Sequence, residues 1–156
     1  MVLTSVSQDV HTIRDSIIST NTTWTREKPY HIFDSLRIAE DATLTIEQGT
    51  RLYFHKGATL TVGGKLICNG TLESPIIFRG DRFDKSTEKY YFDQLNNQWG
   101  GVRIKSTSTG NQLTYTHIRK GNFGVLVDSA AIDKETKRLV IANSSIHNVS
   151  QAALRC

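Results

Sequence analysis

Cysteine is scarce in this chain, with two among 156 residues, Cys68 and Cys156. That is too few for a disulfide scaffold, so the core must come from apolar burial. Cys68 lies in the run Leu66-Ile67-Cys68 and reads as a buried free thiol. Cys156, the last residue, reads as a wall position of an unfinished coil. No run of about 18 apolar residues is present, so no membrane-spanning helix is expected. No basic-then-apolar leader opens the chain either. Long single-sign charge runs are also missing. The net charge is +4, but acids and bases alternate along most of the chain. That pattern reads as a solvated mixed surface without the clustered basic stripe of a nucleic-acid binder, so no nucleic-acid partner is expected. The hydrophobic fraction of 38% is enough for a core and argues against wholesale disorder.

The chain does contain a repeat. From Ser35 onward, apolar pairs two residues apart recur about every eight residues: Leu36/Ile38, Leu44/Ile46, Leu52/Phe54, Leu60/Val62, Leu66/Cys68 and Ile76/Phe78. A spacing of two is the strand period, and helical spacing does not produce it. Turn signals separate the pairs, among them Gln48-Gly49, Lys56-Gly57, Gly63-Gly64, Asn69-Gly70 and Ser74-Pro75. Taking every third pair, Leu36 to Leu60 is 24 residues, Leu44 to Leu66 is 22 and Leu52 to Ile76 is 24. Three strands per lap describe a three-sided coil whose laps stack by parallel hydrogen bonds. The expected fold is therefore all-β, a right-handed parallel β-helix of about 22–24 residues per coil.

The second half repeats at 28 residues: Leu113 to Ile141, Ile118 to Ile146 and Leu126 to Leu154. The excess matches the charged run 132–138, expected as a corner insertion. A longer polar insertion is expected near 80–98, with the wall resuming at Trp99-Gly100-Gly101-Val102. Residues 1–30 are expected to form an N-terminal segment and cap, and 31–156 the coils. Val6, Val10, Ile13 and Ile17 fall at helical spacing, but a strand over 15–19 is the favoured reading, because Asn21-Thr22-Thr23 turns directly after it. At the other end the chain stops at Leu154-Arg155-Cys156, inside a wall strand. That leaves open a piece of a longer β-helix, or self-association through the uncapped C-terminal coil.

Several motifs resemble a group of bacterial secreted or surface β-helix proteins common among Bacteroidetes lipoproteins. They are Asn21-Thr22-Thr23-Trp24-Thr25, Ala42-Thr43-Leu44-Thr45-Ile46-Glu47-Gln48-Gly49-Thr50, Gly57-Ala58-Thr59-Leu60-Thr61-Val62, Gly70-Thr71 with Pro75-Ile76-Ile77-Phe78, and Trp99-Gly100-Gly101-Val102. The resemblance covers about Trp24 to Cys156. It extends more distantly to pectate-lyase-type β-helices and other polysaccharide enzymes. Gln48 stands where a proline is usual and Cys68 where a small residue is usual. The resemblance implies an extracellular or outer-surface location, with a polysaccharide or another surface protein as partner. It does not specify an activity.

No catalytic constellation emerges from spacing. A calcium site needs six or more oxygens, and the acidic stretch Asp81, Asp84, Glu88 and Asp93 is interleaved with Arg82, Lys85 and Lys89. A glycosidase needs two flanking carboxylates, and Glu47 has no acid at the matching position near Asn69. His11, His31, His55, His117 and His147 make no zinc spacing, so neither metal nor cofactor is expected. His117 and His147 are expected on adjacent coils, stacked on the surface. Asn21, Asn69, Asn143 and Asn148 open Asn-X-Ser/Thr triplets, which in a bacterial chain read as corner asparagines. Aromatics are the remaining hint. Tyr90, Tyr91 and Phe92 lie in the long insertion, where rings can stack on sugars or pack the loop. Trp99 joins them as a candidate ligand-binding residue, although Trp24 and Trp99 read first as packing residues. The leading reading is a non-catalytic surface module that binds a glycan or partner. A fragment of a polysaccharide lyase or glycoside hydrolase is the alternative, and a structural spacer the third.

Overall fold

The computed structural model describes residues 9–82, 97–131 and 135–156. Tyr90, Tyr91 and Phe92, and the acids Asp84, Glu88 and Asp93, lie outside the described residues. Strands follow one another in threes. The first coil is β1 (His11–Ile13), β2 (Ser16–Ile18) and β3 (Thr22–Trp24). The second is β4 (Tyr30–Ile32), β5 (Ser35–Ile38) and β6 (Thr43–Glu47). The third is β7 (Arg51–Phe54), β8 (Thr59–Val62) and β9 (Lys65–Asn69). The fourth is β10 (Ile76–Gly80), β11 (Gly101–Ile104) and β12 (Asn111–Thr114). The fifth is β13 (Thr116–Arg119), β14 (Val125–Val127) and β15 (Leu139–Ala142), and β16 (Ser145–His147) and β17 (Leu154–Arg155) begin a sixth.

Each strand pairs in parallel with its counterpart one coil away, giving three sheets: β1-β4-β7-β10-β13-β16, β2-β5-β8-β11-β14-β17 and β3-β6-β9-β12-β15. This is a three-sided parallel β-helix. Residues of like parity stack into inward columns. Tyr30, Leu52, Phe78, Ile118 and Ile146 form one. Leu36, Leu60, Val102 and Val125 form another. Most of these side chains are fully buried, and they join in a single core. Burying each large one is worth about 1.5–3 kcal/mol, enough in aggregate for strands of three to five residues that could not stand alone.

The expected Leu36–Leu60 and Leu44–Leu66 stacking is present. So is Leu113–Ile141 and Ile118–Ile146. Two expected pairings are shifted. Leu52 stacks on Phe78, not Ile76. From Glu47 to Leu52 is five residues, whereas from Glu47's partner Asn69 to Phe78 is nine. The corner absorbs the four extra residues in a turn, where Ser74 N–H donates to Thr71 Oγ1 at 3.1 Å and Thr71 N–H to Ser74 O at 3.2 Å. Leu154 pairs with Val125 instead of Leu126. A one-residue longer corner reverses face, so Leu126 lies on the outward row with Arg103.

The N-terminal stretch is extended, with strand rather than helix at both 11–13 and 16–18. The expected boundary at residue 30 coincides with the start of β4, and β1–β3 before it already join all three sheets. The sharpest corners use left-handed backbone. Asn143 and Asn148 have φ of 49° and 51°, a conformation asparagine tolerates better than most residues. Gly64 is required for a different reason. A Cβ there would lie 2.1 Å from Ala42 O and 2.2 Å from Ala39 O, so the neighbouring corner leaves no room for a side chain.

Candidate functional site

The outward face of the sheet β1-β4-β7-β10-β13-β16 collects most of the chain's distinctive chemistry. Alternation sends Tyr30 and Ile32 into the core and His31 outward, and likewise Leu52 and Phe54 inward and Tyr53 outward. Registered pairing then aligns Thr12, His31, Tyr53 and Arg79 in one outward row, and Arg119 with His147. Arg51 and Ile77 begin a second row, and His117 and Ser145 complete it. Just past the strands the ladder continues. Phe33 N–H donates to Ile13 O at 2.9 Å, His55 N–H to Ile32 O at 2.7 Å, and Asp81 N–H to Phe54 O at 2.9 Å. Phe33, His55 and Asp81 therefore occupy equivalent positions in successive coils.

These rows carry Arg14, Arg51, Arg79 and Arg119, with His31, His55, His117 and His147. Among the described residues of the rows the sole carboxylate is Asp81. The basic stripe not expected from the linear charge pattern is thus present, assembled at about one arginine per coil. Stacked coils lie about 4.8 Å apart, so residues more than twenty apart in sequence become direct neighbours. His117 and His147 are on adjacent coils as expected but do not stack directly: His117 faces Ser145, and His147 faces Arg119.

Asp81 is the centre of the face. Its Oδ2 lies 2.7 Å from His31 Nε2 and 2.7 Å from His55 Nδ1. The carboxylate is 10% exposed, against 27% for His31 and 48% for His55. An ionised carboxylate only accepts, so each imidazole presents an N–H to it, fixing His31 as the Nε2–H form and His55 as the Nδ1–H form when neutral. Phe33 packs on both imidazoles, with ring centroids 4.1 Å from His31 and 5.4 Å from His55. The Arg14 guanidinium sits 4.2 Å over the outer Phe33 ring. The three ligand-type atoms of His31, His55 and Asp81 all lie within 4.8 Å of one another. This arrangement can hold a metal ion, orient an imidazole as a proton acceptor or donor, or anchor a polar ligand.

Farther along the face, Arg79 is 7% exposed. Arg119 Nε is buried without a hydrogen-bond partner among the described residues. His117 is held below its usual pKa by burial first, then by Arg119 and His147. It is therefore neutral at pH 7, hydrogen-bonded to Ser145 through Nδ1.

Trp99 is 1% exposed. Its ring stacks on Phe54 at 4.1 Å, and its indole N–H donates to Arg119 O at 2.9 Å. It belongs to the core, directly behind the basic face. Trp24, 7% exposed and stacked on Tyr30 at 4.0 Å, packs the first coils in the same way. The register does place Glu47 beside Asn69, so no second acid meets it there. Linear spacing hid the His–Asp–His cluster, because its members are 24 and 26 residues apart. Those distances are coil lengths: Leu36 to Leu60 is also 24, and Leu52 to Phe78 is 26. Matching titratable residues at the coil period would have found the cluster.

The largest concavity, about 560 Å³, lies elsewhere, at a corner lined by Val127, Asp128, Ser129, Arg138 and Cys156. Its charged groups are committed to structure. Asp128 accepts from Arg103 Nε at 2.9 Å. The Arg138 guanidinium donates to the carbonyls of Ser108, Asp128 and Lys105. The histidine-bearing face is therefore the better candidate despite its shallower shape.

A family model described as a pectate-lyase like beta helix domain matches residues 16–127. No curated protein and no solved structure matches the chain.

Proposed function

Because the chain belongs to the pectate-lyase-like beta-helix domain family, we propose that it is a non-catalytic module that binds an anionic polysaccharide along the outward face of the β1-β4-β7-β10-β13-β16 sheet. One observation carries this reading: four arginines and four histidines share that face with a single described carboxylate. A cationic row repeated at every coil complements a chain that bears a carboxylate on successive sugars. Phe33 and Tyr53 supply rings among the charges, the pairing of apolar face and ionic edge that a uronic acid presents. Pectate is itself such a polyuronate. A secreted or cell-surface location follows from that ligand. Among the described residues no helix is long and apolar enough to cross a membrane.

The reading is non-catalytic because calcium-assisted elimination needs several oxygen ligands together, and glycoside hydrolysis needs two carboxylates. The described part of the face has Asp81 alone. A specific observation favours the enzymatic alternative, a polysaccharide lyase. An imidazole oriented by a carboxylate is a general-base arrangement, and His55 beside Asp81 has that geometry.

Affinity gel electrophoresis with polygalacturonate, alginate, neutral xylan and single-stranded DNA tests the proposal. Retardation by the two polyuronates, weakening with salt and with Arg51→Ala, is the expected result. Equal retardation by xylan, or none by any polyuronate, overturns it. Preference for DNA would reassign the face to phosphate recognition. Release of unsaturated uronides, read by ultraviolet absorbance, would replace binding with lyase activity.

A further inference from the structure

We infer that His31, His55 and Asp81 form a site for a divalent transition ion of the zinc class, bridging three successive coils. Two imidazole nitrogens and one carboxylate oxygen lie within 4.8 Å of one another. Each is placed by backbone, not by a flexible loop. His31 belongs to β4, and His55 and Asp81 directly follow β7 and β10, with their N–H groups still in the ladder. Asp81 is well withdrawn from water, at 10% exposure, which strengthens its attraction for a cation. Phe33 lies against both imidazoles and restricts their rotation.

The donor set selects the ion. Imidazole nitrogen suits zinc, nickel, cobalt and copper, whereas calcium and magnesium take oxygen. Zinc bonds of about 2.0–2.1 Å at a tetrahedral angle place donors about 3.3 Å apart. The two N···O distances are now 2.7 Å. Loading therefore requires small side-chain rotations while the ladder stays in place, and the ion replaces the two N–H···O contacts. Three protein donors leave at least one coordination position for water or an anionic ligand. Arg79, in the row beside Tyr53, opposes added positive charge, so the affinity is set well below that of a four-ligand structural zinc site.

Isothermal titration with zinc, without any glycan, is the test. One ion per chain is expected, together with a rise in Tm that calcium does not produce. Cobalt should give visible absorption of a nitrogen-containing low-coordinate site. His55→Ala, at a half-exposed position that leaves the core intact, should weaken zinc binding at least tenfold, and His31→Ala should do the same. His147→Ala and Cys156→Ser should leave it unchanged. Absence of zinc binding, its persistence in both His31→Ala and His55→Ala, or its loss in Cys156→Ser would each overturn the assignment. Because no polysaccharide is present, failure here leaves the proposed glycan role standing, and the converse also holds.

Discussion

Asn111 offers a quantitative test of how a core column accommodates a polar residue. Its column runs Leu44, Leu66, Asn111 and Leu139, so an amide occupies a place where the neighbouring coils carry leucine. It is 1% exposed. Its Oδ1 accepts from Leu66 N–H at 2.9 Å, and its Nδ2 donates to Ser108 Oγ at 2.8 Å and Arg138 O at 2.9 Å. In Asn111→Ala, the Leu66 N–H is stranded in the interior, at a cost of about 1–3 kcal/mol. The other two partners keep a bond each. Ser108 Oγ still donates to Gly64 O at 2.6 Å, and Arg138 O still accepts from Asn111 N–H at 3.1 Å. Those two losses add roughly 0.5–1 kcal/mol each. The sum is about 2–4 kcal/mol, which for a chain of this size lowers Tm by roughly 5–15 °C. Asn111→Asp keeps the acceptor but turns both donor contacts into oxygen–oxygen contacts, so it should cost at least as much as alanine at neutral pH. Urea denaturation gives both values. A cost below about 0.5 kcal/mol for alanine, or an aspartate as stable as the parent, would refute the claim that this side chain completes the ladder.

Two further outcomes are expected. Burial pushes the Cys68 thiol far above its ordinary pKa, with a Thr116 hydrogen bond acting in the opposite direction. Cys156 is exposed, so a thiol reagent should titrate one cysteine in the folded chain and two in denaturant; fast labelling of both without denaturant would contradict the buried assignment. His117 has a folded pKa below its unfolded value of about 6.5. The unfolded chain therefore takes up the proton first, and this group's contribution to stability falls as pH drops through 6.5 toward the folded value. His117→Gln should flatten that part of the Tm–pH curve between pH 7.5 and 5.5, and an unchanged slope would count against the shift.

The sequence by itself determined the architecture. Apolar pairs two apart, separated by turn residues and returning after 22–24 residues, can bury their faces together only as stacked three-sided coils. The Leu36–Leu60 and Leu44–Leu66 columns follow from that rule alone. Corner lengths were not legible, because a corner of three or six residues looks equally polar. The Leu52–Phe78 and Val125–Leu154 registers therefore waited on the folded chain. The candidate site was decided at the tertiary level for the same reason. His31, His55 and Asp81 are isolated in sequence, and no local pattern links them. They meet because each lap of the solenoid climbs by only one strand spacing, about 4.8 Å, which makes residues a full lap apart closer than residues in the next corner. The basic face arises in the same way: one arginine per lap is unremarkable along the chain and continuous along the helix axis.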